Sequence, residues 1–292
     1  MYSANIYFNR FFISAVVIIT AGFLFSPSLS YGWSPLGLST GKWNSEERKW
    51  DIAQFPAEDS SVYGLRLSLP YAKNKKVYGF DIAIGAGLAK KVRGFQFGLA
   101  TYVDDMYGIQ TGFGGRVNKL KGIQIKGFYA GTDDGDGLQL AGIVNNTGVF
   151  TGIQFTGIVN FSGSVSGLQV GGLFNLGDEV KGIQVAGLVN HVRKGSGLQL
   201  SVLANNVGGG GLYGGEVEDS YFKGIQVSYY NNVGGDFSGL QVGLYNRAKN
   251  AKGIQIGVVN VAESMKGVQI GLLNVIKSNT TMKYMPVINI GF

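Results

Sequence analysis

With 292 residues, 48 glycines and no cysteine, this chain can hold one large domain but no disulfide frame and no thiolate chemistry. Charged residues make up only 15%, against about 25% in an ordinary soluble domain, which is a poor mixture for a water-facing surface. The net charge of +7 comes from scattered single residues, so a nucleic-acid footprint is excluded.

Residues 1–30 stand apart. Arg10 is their only charge, and Phe11 to Phe25 is an apolar run of 15. That is short of the roughly 20 residues a spanning helix needs. Small residues at Ser28 and Ser30 complete a signal-peptide layout with cleavage after Ser30. Its removal takes away Arg10 and lowers the charge from +7 to +6. No later stretch has the unbroken apolar length of a transmembrane helix, so a helical membrane protein is not expected.

Residues 31–60 form a lead-in segment with all three tryptophans, Trp33, Trp43 and Trp50. A strand is expected around Trp50–Phe55, followed by a loop. From residue 61 to 292 the chain repeats itself every 14 or 15 residues. A unit reads Gly, apolar, Gln, apolar, then small residues, apolar residues and Asn. Units start at Gly64 and Gly79, tighten from Gly94 to Gly197, and close with Gly224, Gly239, Gly253 and Gly267. The gap between Gly197 and Gly224 is nearly two periods, so a weak unit is expected at Gly211. Where the period is 15, the extra residue lies beside the second glycine and suggests a bulge.

Each unit reads as a strand. In the Gly182 unit, Ile183, Val185 and Val189 share one face, and Gln184, Ala186 and Asn190 the other. Two glycines per unit argue against a helix. Turn-formers such as Gly177-Asp178-Glu179 and Glu263-Ser264 follow the Asn.

Two architectures use such a unit. One is an all-β, antiparallel transmembrane barrel of about 16 strands, an even number as bacterial barrels require. Its apolar face would meet outer-membrane lipid. Gln124, Gln139, Gln154, Gln169, Gln184, Gln199, Gln226, Gln241, Gln255 and Gln269 would line a watery lumen for small polar solutes. The other is a parallel β-solenoid with Gln stacked on Gln and Asn on Asn, where every rung has one environment. The C-terminus favours the barrel. Ile288, Ile290 and the final Phe292 alternate, and this resembles the terminal signal that the barrel assembly machinery reads.

The stretch GLRLSLPYAKNKKVYGFDIAIG, followed by serial GIQxG and GLQxxGxxN units, resembles the bacterial surface-repeat proteins of the leptospiral type over residues 60–292. The resemblance implies a cell-surface or outer-membrane location and no particular activity. Arg66 and Asp81 depart from it, standing where Gln is expected.

Catalytic signals are missing. His191 is the one histidine and has no cluster of partners. Asp133-Asp134-Gly135-Asp136-Gly137 lacks the spaced ligands of a calcium loop and reads as a tight hairpin turn. Gly208–Gly211 lacks the Lys and Ser/Thr of a phosphate loop, and Glu216, Glu218 and Asp219 read as a solvated loop. The expectation is a non-enzymatic, structural or porin-like passive pore with no cofactor. The alternative is a secreted or surface-attached solenoid acting as adhesin or scaffold.

Overall fold

The computed structural model describes residues 33–44, 49–208 and 219–292. The expected signal peptide at 1–30 lies outside them. The chain winds as a parallel β-solenoid, which overturns the antiparallel barrel. The strands are β1 (Trp33–Asn44), β2 (Lys49–Phe55), β3 (Ser61–Ser68), β4 (Tyr71–Ala141), β5 (Val144–Thr156), β6 (Val159–Gly171), β7 (Phe174–Ala186), β8 (Val189–Ser201), β9 (Ala204–Val207), β10 (Tyr221–Val227), β11 (Tyr230–Ile276) and β12 (Tyr284–Gly291).

The pairing decides the fold. Gly137 lies beside Gly152, Gly152 beside Gly167, Gly167 beside Gly182 and Gly182 beside Gly197, always in parallel. Each unit therefore stacks on its predecessor in register and never reverses. Strands β4 and β11, at 71 and 47 residues, are far too long to be straight. They pass through several turns without breaking the ladder. Asp133–Gly137 and Glu263–Ser264, expected as hairpin turns, lie inside these winding strands.

The first glycine of each unit makes the winding possible. Its φ lies between 118° and 142° in every described unit, a region closed to side chains. The chain bends there and brings the glycine backbone onto the carbonyl of the turn before. The 14- and 15-residue turns differ at another corner. From Gly137 to Gly197 the longer turns break at a two-residue bend, as at Gly157–Ile158 and Gly172–Leu173, whereas those from Gly79 to Gly94 and from Gly122 to Gly137 run on inside β4. In β11 the shorter turns run on unbroken.

The weak unit expected at Gly211 forms no rung of its own. Gly224 stacks directly on Gly197, and β9 bridges β8 to β11. The chain between Val207 and Tyr221 is therefore longer than the period requires, and its residues 209–218 lie outside the described ones. Gly211 itself lies outside the described residues.

The interior has an apolar column two residues before each first glycine. Val77, Val92, Met106, Leu120, Phe150, Val165, Val180, Phe222 and Phe237 belong to it, all buried. Large and small alternate where they must. A Cβ on Gly135 would stand 2.5 Å from the Phe150 ring, so the glycine makes room for the phenyl group.

Both ends are covered by antiparallel strands. At one end β1 lies parallel to β3 and carries β2 antiparallel, in agreement with the expected strand near Trp50–Phe55. At the other, β12 runs antiparallel to the last turn of β11. Asn289 and Gly291 point inward, while Ile288, Ile290 and Phe292 are exposed. These three close a stack of turns and belong to no barrel seam.

Gln255 and Gln269 are stacked neighbours, with Gln269 Nε2 donating to Gln255 Oε1 at 2.8 Å. A barrel would hold them a strand length apart. The outward pair one position earlier tests this without touching the amides. Ile254→Cys with Val268→Cys should form a disulfide under mild oxidation, because stacked strands lie about 4.8 Å apart and a disulfide tolerates about 7 Å. Non-reducing gel mobility reads the closed loop.

Candidate functional site

The amides build the interior. Among the described residues twelve glutamines, from Gln96 to Gln269, form one continuous column. Each Nε2 donates to the Oε1 of the turn before, at 2.7–3.2 Å. The ten glutamines assigned to a lumen in the barrel, Gln124 to Gln269, all lie in this column at 0–1% exposure. They pair with one another and line no water channel.

A second column runs from Asn145 to Asn274. Here each Nδ2 donates to the Oδ1 of the turn after, as from Asn160 to Asn175 and from Asn175 to Asn190, both at 2.8 Å. Its other N–H reaches a strand carbonyl, as from Asn160 to Val170. The two ladders therefore point in opposite directions, and their dipoles oppose. A run of amides all donating one way must leave an acceptor over at its start. Those leftovers are visible: Gln269 Oε1 and Asn145 Oδ1 are buried without partners.

The donating end of the glutamine column needs an acceptor too. Asp81 supplies it, taking a 2.7 Å bond from Gln96 Nε2. Arg66 then grips the same carboxylate with two bonds, at 2.7 and 2.5 Å, and gives its remaining nitrogen to Asn74 and the Leu88 carbonyl. Both side chains are fully buried. The two residues that depart from the repeat thus form a charged terminus for the ladder. A buried carboxylate without Arg66 would be costly, so the departures come as a pair.

Two titratable groups, one buried and one half-buried, lack a carboxylate partner among the described residues. Lys126 stands where other units place Ala, Thr, Gly or Ser. Its Nζ donates to Thr101 Oγ1 at 2.6 Å, and burial pushes its pKa down to about 7. It occupies space that Gly115 leaves open, since a Cβ there would meet the amine at 2.9 Å. The sequence gives one clue, a Lys at an inward position, which the repeat pattern alone does not flag. His191 accepts from Asn206 Nδ2 at 3.0 Å, and burial pushes its pKa below the ordinary histidine range. Among the described residues no cluster of His, Asp and Glu could hold a metal.

The outside is the unusual part. Because the amides turn inward, alternation sends the aliphatic and aromatic residues outward. Phe80, Phe113, Ile153, Ile183, Leu244 and Leu272 are all exposed, the last at 76%. They stack in columns along the axis. Fourteen stacked glycines at about 4.8 Å give columns roughly 60 Å long. Like rings pair between turns, as Tyr63 on Tyr78 at 4.8 Å and Phe113 on Phe128 at 5.6 Å. Near the C-terminal end an apolar groove of about 810 Å³ runs along the axis, floored by Gly243, Gly257 and Gly271.

No family model, curated protein or solved structure matches this chain. The functional reading therefore rests on its own geometry.

The charged residues keep to one side. The position before the first glycine carries Arg93, Lys121, Lys181, Lys223, Lys252 and Lys266, all exposed. Arg93 lies over the rings of Tyr78 and Tyr107, 5.6 and 5.4 Å from their centroids. Lys181 pairs with Glu179 at 3.1 Å. Asp133, in the expected hairpin turn, is paired with Arg116 on the solenoid surface. The solenoid is thus amphipathic around its circumference, with an apolar side and a charged, net basic side.

Two substitutions in one unit separate inside from outside. Val185→Arg should change stability by less than about 1 kcal/mol, because the side chain reaches water. Gln184→Arg should cost about 3–5 kcal/mol, because it buries an unpaired charge and cuts the ladder on both sides. A water-filled lumen would give the reverse order. Urea melts followed by circular dichroism give both values.

Proposed function

We propose that this chain is a surface-attached β-solenoid that works as a passive binding scaffold, in the manner of an adhesin. A single observation carries the reading. The apolar residues of the repeat face outward along roughly 60 Å, while the amides that would hydrate a pore are spent on one another. Contiguous apolar surface of that extent marks an interaction site. A stack of near-identical turns also suits a partner that is itself extended or periodic. The passive-pore reading has no lumen to work through. Export to the surface rests on the signal-peptide layout of residues 1–30. Antibody labelling of intact cells tests it. Labelling equal to that of permeabilised cells supports the surface reading, and recovery in the cytosolic fraction overturns it.

A further inference from the structure

The C-terminal turns place a basic column directly beside an apolar one. Lys223, Lys252 and Lys266 each precede a first glycine, and Ile225, Ile254 and Val268 each follow it. Lys223 stacks beside Ser238 in β11 and beside Ser196 in β8. Lys252 and Lys266 belong to consecutive turns, so their backbones lie about 4.8 Å apart. Among the described residues no carboxylate pairs with these three lysines. Lys252 and Lys266 repel each other at that spacing, and an anion bound from outside relieves them.

A groove of about 490 Å³ runs along this column. The three lysines form one wall, with Ser238 between them. The other wall carries Tyr221, Asp236, Asn250 and Ser264. Asp236 is the one acid there. It accepts from Asn250 Nδ2 at 2.8 Å, and Ser264 Oγ donates to Asn250 Oδ1 at 2.8 Å. That wall is therefore knitted together along its own side, leaving the lysines facing outward. Just past the glycine corner the surface turns apolar, with Ile225 and Ile254 both exposed.

We infer that this face docks on an anionic lipid surface, with the Lys223, Lys252 and Lys266 amines on phosphate headgroups and the Ile225 and Ile254 columns against the acyl region. Charge complementarity selects this occupant. A second copy of the chain would bring the same three lysines, and an apolar partner would leave them unmatched. Amphipathic elements bind membranes by this combination of buried apolar area and basic edge. The axis would lie in the membrane plane, so successive turns add contacts in parallel. The inference rests on the surface-scaffold reading and names what the scaffold is attached to.

Vesicle flotation tests it with the full chain and its variants, so that residues 1–30 contribute equally to all. Vesicles of phosphatidylglycerol should carry the chain, and vesicles of phosphatidylcholine should carry far less. The triple change Lys223→Ala, Lys252→Ala and Lys266→Ala should weaken binding about 100-fold, at about fivefold for each lysine. Ile225→Ser with Ile254→Ser should weaken it at least tenfold. All are outward positions, and circular dichroism confirms that the variants remain folded. Excess inorganic phosphate should leave the chain on the vesicles. Absence of flotation, flotation that survives both sets of substitutions, or full release by phosphate overturns the inference. So does a stable oligomer, seen by sedimentation, that is abolished by the isoleucine changes while flotation is unaffected. Antibody labelling of intact cells speaks to the surface reading alone, so the two failures are distinguishable.

Discussion

Gly182→Val is expected to remove more than about 5 kcal/mol of stability, the range of exceptional single substitutions. Two costs add. Gly182 has φ of 132°, which a β-branched residue does not adopt. A Cβ at that site would also stand 2.1 Å from the carbonyl oxygen of Gly167 and 3.0 Å from its carbon. The atoms in the way are backbone, so no rotamer change relieves the clash. Only separation of the two turns does, and that breaks the glutamine and asparagine ladders together. In a stack held by nearest-neighbour contacts, such a cut divides the solenoid into two weaker blocks. Gly114→Ala is the matched control. Its Cβ would meet nothing nearer than 3.9 Å, and its φ lies outside the left-handed region. It should be neutral or stabilising by about 0.4–1 kcal/mol. Urea melts of both variants separate glycine as a corner from glycine as filler.

That contrast also marks how far the sequence can be read. The period, the strand character and the division into an amide face and an apolar face are all legible, as Gln184 and Val185 illustrate. Which face meets water is not. Alternation with period 2 is identical in a barrel and in a solenoid, because it records only that neighbours point to opposite sides. The barrel reading gave water to the amides because single amides prefer it. Stacking reverses the preference, since Gln184 finds its donor and acceptor in Gln199 and Gln169 without any water. The closing strand misled for a related reason. Alternation at Ile288 and Ile290 describes a cap over the last turn as well as a membrane strand. Arg66 and Asp81 look like decay of the repeat until their carboxylate–guanidinium pair is seen at the ladder's end. They are distant by 15 residues, one turn, so their spacing already matched the period.

Stability should rise steeply with pH between about 7 and 10.5, and Lys126 is the cause. Its pKa falls from 10.5 to about 7 on folding, through burial alone. Between those values the unfolded chain binds a proton that the folded chain does not, so raising the pH favours the fold. The contribution is complete above 10.5 and lost as pH falls toward 7, below which the buried ammonium must be carried. At 1.36 kcal/mol per unit the window is worth up to about 5 kcal/mol. Thr101 Oγ1 and the Thr111 carbonyl are the amine's only polar contacts among the described residues, and neither carries charge to offset it. Lys126→Met keeps a long unbranched chain of similar reach under Gly115 and removes the proton. It should flatten the dependence and stabilise the chain most at pH 7. His191 works in the same direction at lower pH, since its depressed pKa favours the fold above the ordinary histidine range. Urea melts from pH 6 to 10 on the native chain and on Lys126→Met separate the two groups. Equal slopes for both proteins above pH 7 would mean that the amine is not held dry between the turns.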